Sequence, residues 1–383
     1  MDLDLTPDQE LLRDTTRKFL QATVPLTTVR ALADDAAGFD RGWWRRGAEL
    51  GWTTLLVDER RGGGSISGEG LCDLALVAEE MGAMVSPGPL IATNVVAQAL
   101  SRDASDELAS HVLPGLLSGE SIAAWCVAEP GRDITPDGMA LQVRRGGAEG
   151  AEFVLDGVKR PVEAGGQADW LLVTATGAEG LSQFLVPASA PGLRITPLRG
   201  LDLVRRYAEI RFDGVRVPCS AVVGVLGGAA LSFEAQLQTV LVLQCAEIVG
   251  ATNRVFDFTV QYAFDRSSFG RALASYQALK HRFADMKLWL ESAQAITVDA
   301  TRAVQDGAPD GGEVVRIAKA YVAERCPELI QDCIQLHGGI GVTWDHDLHL
   351  YLRRVVVNRQ TYGDPMHLRD SVALLADQIG GRS

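Results

Sequence analysis

Cysteine is scarce in this 383-residue chain, and none of it is paired in sequence. Cys72, Cys126, Cys219, Cys245, Cys326 and Cys333 are scattered with no C-x-x-C. That spacing argues against a thiolate metal centre or a disulfide framework and fits reduced, buried thiols in a cytosol. Basic residues are in deficit: 36 Lys and Arg stand against 49 Asp and Glu, a net charge of -13, with a pI near 5.0. Such a balance argues against nucleic acid or an anionic membrane as the main partner. Long apolar runs are missing too. Val240 to Val249 is too short to span a bilayer and is interrupted by Glu247. The acidic start, Met1 to Leu5, has no signal-peptide h-region, so a cytoplasmic protein is expected. The glycine run Arg61-Gly62-Gly63-Gly64 has no Lys-Ser/Thr after it and reads as a loop, not a phosphate cradle. There is no internal repeat and no low-complexity tract.

What is present describes a folded globular protein of two or three domains, with 47% hydrophobic and 22% charged residues. Thr6-Pro7-Asp8-Gln9-Glu10 is a helix start: a cap, Pro at the first helical position, then acids in the first turn. Helical periodicity recurs to about residue 120, for example over Leu71 to Met81. Strand-like runs bounded by Gly, Pro and Asp follow. They are Ile122–Ala128, Phe153–Gly157, Trp170–Ala175, Gln183–Pro187 and Ala208–Val215, and they suggest a small antiparallel barrel or sandwich. From Gly227 onward the pattern is helical again, over 230–264, 275–306, 312–335 and 365–380, as in an up-down bundle. The expectation is an α+β protein: an N-terminal helical domain (1–120), a central β domain (121–228) and a C-terminal four-helix bundle (229–383).

Three runs within the C-terminal region carry a family signature. They are Arg266-Ser267-Ser268-Phe269-Gly270, Gln277-Ala278-Leu279-Lys280-His281-Arg282-Phe283-Ala284-Asp285-Met286, and Gln335-Leu336-His337-Gly338-Gly339-Ile340-Gly341. In content, order and spacing they resemble the acyl-CoA dehydrogenase family. Weaker marks extend the resemblance over nearly the whole chain. An arginine fork and glycine-exposed backbone N–H groups suit a pyrophosphate. The resemblance implies that Arg266, Phe269 and Gly270 hold the FAD of a neighbouring subunit. It places Gln277 near the adenine and Gln335, Gly338 and Gly339 at the pyrophosphate. It further implies an acyl-CoA substrate, a hetero- or homotetramer with homologous subunits, and an electron-transfer flavoprotein as redox partner.

The family's chemistry needs a carboxylate near the α carbon of a thioester. Here the usual glutamate position, before Gly363, holds Tyr362, and a phenol with pKa about 10 is a poor base at pH 7. The alternative position on an earlier helix falls near the apolar Val240-Leu241. Asp364 and Glu247 remain. Asp364 reads either as a displaced base or as the N-cap of a helix opened by Pro365. Glu247 reads either as a base or as half of a structural ion pair with an arginine of the bundle; Arg254, about two turns on, shares its face but is not an immediate partner. Around Glu129-Pro130-Gly131 and Gly157-Val158-Lys159 the hydroxyls and tryptophan usual beside the flavin ring are absent. These departures resemble the subunit of actinobacterial, steroid-type heterotetramers that lacks the base and completes a partner's FAD site. A self-sufficient enzyme with a relocated base and a non-enzymatic acyl-CoA-binding scaffold are the alternatives. Trp344 to Tyr351 reads as a helix start, not a metal site.

Overall fold

The computed structural model describes residues 5–147 and 152–380, with backbone alone from 375. The chain opens as its caps predict. Helix α1 (Pro7–Thr23) is closed by a reciprocal box in which Gln9 N donates to Thr6 Oγ1, and Thr6 N to Gln9 Oε1, both at 3.2 Å. Helices α2 (Leu26–Ala31), α3 (Arg41–Glu49), α4 (Gly70–Ala83), α5 (Leu90–Asp103) and α6 (Asp106–Leu117) follow, then a sheet, then five further helices. The three sequence segments follow changes of secondary structure. Packing groups the elements into two compact units: Met1–Arg30 with Ala75–Ser86 and Leu241–Ser383, and Ala31–Leu74 with Pro87–Val240.

The second unit holds the sheet. Its strands are β1 (Ala123–Cys126), β2 (Gln142–Gly146), β3 (Glu152–Glu163), β4 (Trp170–Gly177), β5 (Gly180–Pro187), β6 (Leu193–Leu198), β7 (Tyr207–Pro218) and β8 (Val222–Val223). The spatial order is β6-β7-β3-β2-β4-β5-β8, with β1 lying against β4. The sheet is mixed rather than wholly antiparallel, because β1 pairs parallel with β4 from Ala123↔Trp170 to Cys126↔Val173. Every residue of β1 is buried, as an unbroken apolar run implies for a strand covered on both faces. Spacing in the sequence shows that such a strand exists but not which strand it joins. Two strands carry little signal. Strand β2 has one buried residue, Val143, and β6 contains Pro197, consistent with its edge position.

The first unit is helical: α1, nearly all of α2, most of α4, most of α7 (Ala230–Asp265), α8 (Gln277–Gln305), α9 (Gly311–His337), α10 (Leu348–Gln360) and α11 (Pro365–Gly380). The observed bounds fall close to the periodic segments 230–264, 275–306, 312–335 and 365–380. Only α10 had been legible as no more than a start. None of the helices in the described residues is long and apolar enough to cross a membrane.

Helices α4 and α7 approach backbone to backbone through two glycines. A Cβ on Gly82 would lie 2.0 Å from the Glu247 carbonyl oxygen, and one on Gly250 would lie 1.9 Å from that of Glu79. No side chain fits there without moving a helix. Gly250→Ala is therefore expected to destabilise the protein by about 1–3 kcal/mol or more, read as a lower urea midpoint. An unchanged midpoint would refute the close approach.

Candidate functional site

The first signature run forms a small hairpin after α7. Strands β9 (Ser267–Ser268) and β10 (Arg271–Ala272) pair antiparallel, leaving Phe269 and Gly270 as the two-residue turn. Both have positive φ, 51° and 80°, as a type I′ turn demands. Glycine accepts that conformation readily, whereas a bulky aromatic does so under strain. The Phe269 side chain is nonetheless 97% exposed, so no packing in this chain rewards the strain. Tyr276 braces the hairpin: its hydroxyl donates to the Ser268 carbonyl at 2.8 Å, and the Arg271 guanidinium lies 3.8 Å above its ring. Helix α8 begins at the next residue, Gln277, which is exposed, as is Arg266.

The third run ends α9. Gly338 leaves the helix at φ 65°, and a Cβ on Gly270, Gly338 or Gly339 would meet nothing within 4 Å. The backbone there is open to a ligand. Gln335 is exposed beside it. One ring contact joins the two runs. Tyr262, one turn before Arg266, stacks on His337 at 4.1 Å between centroids. The buried His337 has His346 packed edge-on at 4.7 Å. Thr259 donates its hydroxyl proton to the Val255 carbonyl, so the 3.2 Å contact with His337 Nε2 makes that nitrogen the donor. Nδ1 has no partner. Burial first, and His346 second, push the His337 pKa down to about 4. The imidazole behind the glycine turn is neutral at physiological pH.

The two surviving carboxylates are both engaged in the scaffold. Glu247 is buried on α7, 2.8 Å from Arg354 Nη1 and 2.6 Å from Asn358 Nδ2 of α10. Its cationic partner is thus Arg354, not the sequence neighbour Arg254. The pair closes across 107 residues, so the sequence marks an arginine of the bundle without saying which one. Asp364 Oδ1 accepts from Met366 N and His367 N, each at 2.9 Å, the geometry of an N-cap with Pro365 at the first helical position. Tyr362, between them in role, is buried at φ 61°. Val240 and Leu241 are also buried. Among the described residues no group of three or more His, Cys, Asp and Glu could hold a metal ion.

In the sheet unit, the two loop motifs hold each other. Lys159 Nζ lies 2.7 Å from Glu129 Oε1 and donates to the Val127 carbonyl at 3.2 Å. Glu129 also accepts from Ala140 N and Leu141 N at 2.8 and 2.9 Å. Burial is the main influence on the Lys159 pKa and pushes it down. This pair, which the sequence did not single out as a pair, secures the Glu129-Pro130-Gly131 turn. Arg132 and Asp133 beyond it are exposed.

Comparison with known proteins agrees along the chain. The model described as "Acyl-CoA dehydrogenase, N-terminal domain" matches residues 6–120, and "Acyl-CoA dehydrogenase, C-terminal domain" matches 232–373. Acyl-CoA dehydrogenase IpdE2 of Mycobacterium tuberculosis is 30% identical over 94% of this chain and 95% of its own. IpdE2 of Mycolicibacterium smegmatis is 28% identical over 94% and 96%. Among solved structures, the Tcur3481-Tcur3483 steroid ACAD superposes with a TM-score of 0.87 at 27% identity, covering 98% of this chain and 99% of that one.

Two outcomes test this geometry. Arg354→Met strands a buried carboxylate and is expected to cost about 3–5 kcal/mol in chemical denaturation, with much of that recovered in the Arg354→Met/Glu247→Leu double variant. If the double variant is as unstable as the sum of the two singles, the pair is not the partnership described. Because the folded His337 pKa lies below the unfolded value of 6.5, its stabilising contribution is complete above pH 6.5. It is lost as pH falls through 6.5 toward about 4. Replacing His337 with Gln should flatten the melting-temperature profile over that window. A profile of unchanged slope would contradict the assignment.

Proposed function

Since the chain belongs to the acyl-CoA dehydrogenase family, we propose that it works as the subunit that lacks the base in a heteromeric FAD-dependent acyl-CoA dehydrogenase. The observation that carries this reading is the strained, solvent-facing Phe269 beside glycines with open space in front of them. Strain that nothing in the same chain offsets is what a contact with another molecule would explain. FAD fits these residues. Arg266 and the N–H groups of Gly338 and Gly339 suit its pyrophosphate, and Gln335 supports them. Gln277 suits the adenine, and Phe269 lies over whatever the turn receives.

FAD, when bound, supplies the acceptor for the hydride leaving the β carbon. The accompanying α proton must go to a carboxylate. In this chain Tyr362 occupies the customary place, and a neutral phenol does not accept that proton at pH 7. Glu247 and Asp364 already serve an ion pair and a helix cap. The base therefore comes from a homologous partner subunit, whose flavin site this chain completes. The word steroid in the name of one structural relative supports a bulky, polycyclic acyl group on the CoA ester. Family membership supports reoxidation by an electron-transfer flavoprotein.

The test is flavin stoichiometry and turnover with the chain expressed alone and with a homologous partner encoded beside it. About one FAD per pair, bound only in the complex, is the expected result, with activity that depends on the partner's carboxylate. Arg266→Ala should weaken FAD binding about ten- to a hundredfold, the value of a lost charge-assisted contact. A lone chain that binds one FAD per subunit and oxidises an acyl-CoA would overturn the proposal. Loss of that activity in Glu247→Gln or Asp364→Asn would then locate the base.

A further inference from the structure

The first and third signature runs are clasped by one pair of side chains. Arg266 is pinned at both of its backbone groups. Its N–H donates to the Tyr262 carbonyl at 2.8 Å, and its carbonyl accepts from Leu273 N at 2.9 Å across the base of the hairpin. The same Tyr262 reaches the third run. Its hydroxyl donates to the His337 carbonyl, the peptide that leads into Gly338, at 3.4 Å. Its ring stacks on the imidazole at 4.1 Å, with the planes 19° apart. One residue of α7 thus holds the backbone of Arg266 and the backbone just before the Gly338–Gly339 turn.

His337 is the seat of that turn. A Cβ on Gly338 or Gly339 would meet nothing within 4 Å, but one on Gly341 would lie 2.9 Å from the His337 Cβ and 2.7 Å from the Ile334 carbonyl oxygen. The turn is open at its first two glycines and pressed against His337 at its last. The imidazole is itself fixed. Tyr262 covers its face, Phe258 and His346 meet it edge-on at 5.8 and 4.7 Å, and Thr259 takes its Nε2 proton. The residue is 5% exposed, and its Nδ1 is buried without a partner. A buried acceptor left unmet costs its desolvation with nothing returned inside the chain. An apolar side chain would serve plain packing better, so this exception calls for an explanation. What the imidazole adds is orientation: a flat ring for Tyr262 and one N–H with a fixed acceptor.

We infer that Tyr262 and His337 are positioning residues that set the spacing between Arg266 and the Gly338–Gly339 turn, so that both engage one pyrophosphate. That the pyrophosphate belongs to FAD rests on the proposed function. The clasp between the two runs does not. Neither side chain is a ligand in this role. Tyr262 acts through the peptides that carry Arg266 and Gly338, and His337 through the seat of Gly341. A supporting shell of this kind decides whether a site's contacts are held at their working distance or left loose.

The experiment uses the complex of this chain with its homologous partner, titrated with FAD by flavin fluorescence and followed by phosphorus NMR of the bound pyrophosphate. Tyr262→Leu removes the stack and the hydroxyl. It is expected to shift the phosphorus resonances at saturating FAD and to raise Kd about three- to tenfold, the value of one aromatic pair. Tyr262→Phe keeps the ring and should restore the wild-type spectrum and most of the affinity. In an Arg266→Ala background the penalty of Tyr262→Leu should shrink, because the two residues act on one contact. Resonances unmoved in Tyr262→Leu overturn the inference, as do fully additive losses in the double variant. If Tyr262→Leu does not fold, His337→Gln decides in its place, since it keeps an N–H for Thr259 and removes the ring from the stack. A wild-type complex that binds no FAD sinks the proposed function alone. Amide hydrogen exchange in Tyr262→Leu then decides the clasp. Faster exchange confined to Gly338 and Gly339 supports it, and unchanged rates or a uniform rise across the helical unit overturn it.

Discussion

The helical unit depends on a carboxylate and a guanidinium held out of water, Glu247 and Arg354. Burying two such groups costs several kcal/mol each and is tolerated only when the remaining donors and acceptors are met. Here Asn358 meets the carboxylate and the Ser86 carbonyl meets the guanidinium. Those requirements fix the spacing of α7, α10 and the turn after α4. They also explain the glycines. Ser86 reaches Arg354 only if α4 lies close along α7, and Gly82 and Gly250 permit that approach by leaving no side chain at the contact. The same helix face thus carries a polar requirement and a steric permission that make sense only together.

The sequence reveals elements well where local chemistry sets them, and poorly where distant pairing does. The cap at Thr6 and the four long helical segments follow from side chains within a few residues of one another. The exposure of Arg266, Phe269, Gln277 and Gln335 agrees with residues kept for something other than a core. What escapes is long-range. The pairing of β1 with β4 joins strands separated by α6-distal loops and two other strands, and no local pattern encodes it. Strand β2 has a single inward side chain, so its alternation is too short to register. Arg354 is the partner of Glu247 because the fold turns α10 back along α7, and no local pattern singles it out among the arginines of the bundle. The Lys159–Glu129 pair was hidden for the same reason, although both residues lie in motifs that the sequence marks.

Strain is placed in two distinct environments, and the contrast bears on where chemistry can occur. Phe269 is strained and exposed, with no compensating contacts in its own chain. Tyr362 is strained and buried, gripped through Thr361, whose hydroxyl accepts from Gln244, and through Asp364. The first is the condition of a residue awaiting another molecule. The second is the condition of a turn held to a fixed shape. A catalytic base needs a lone pair free to reach a carbon-bound proton and room to move toward it. Glu247 has its oxygens directed at Arg354 and Asn358, and Asp364 has one directed at two helix N–H groups. Freeing either would break the scaffold that shapes the turn. A base supplied from outside the chain avoids that conflict, because the scaffold can stay rigid while the proton is moved by a group that carries no structural duty here.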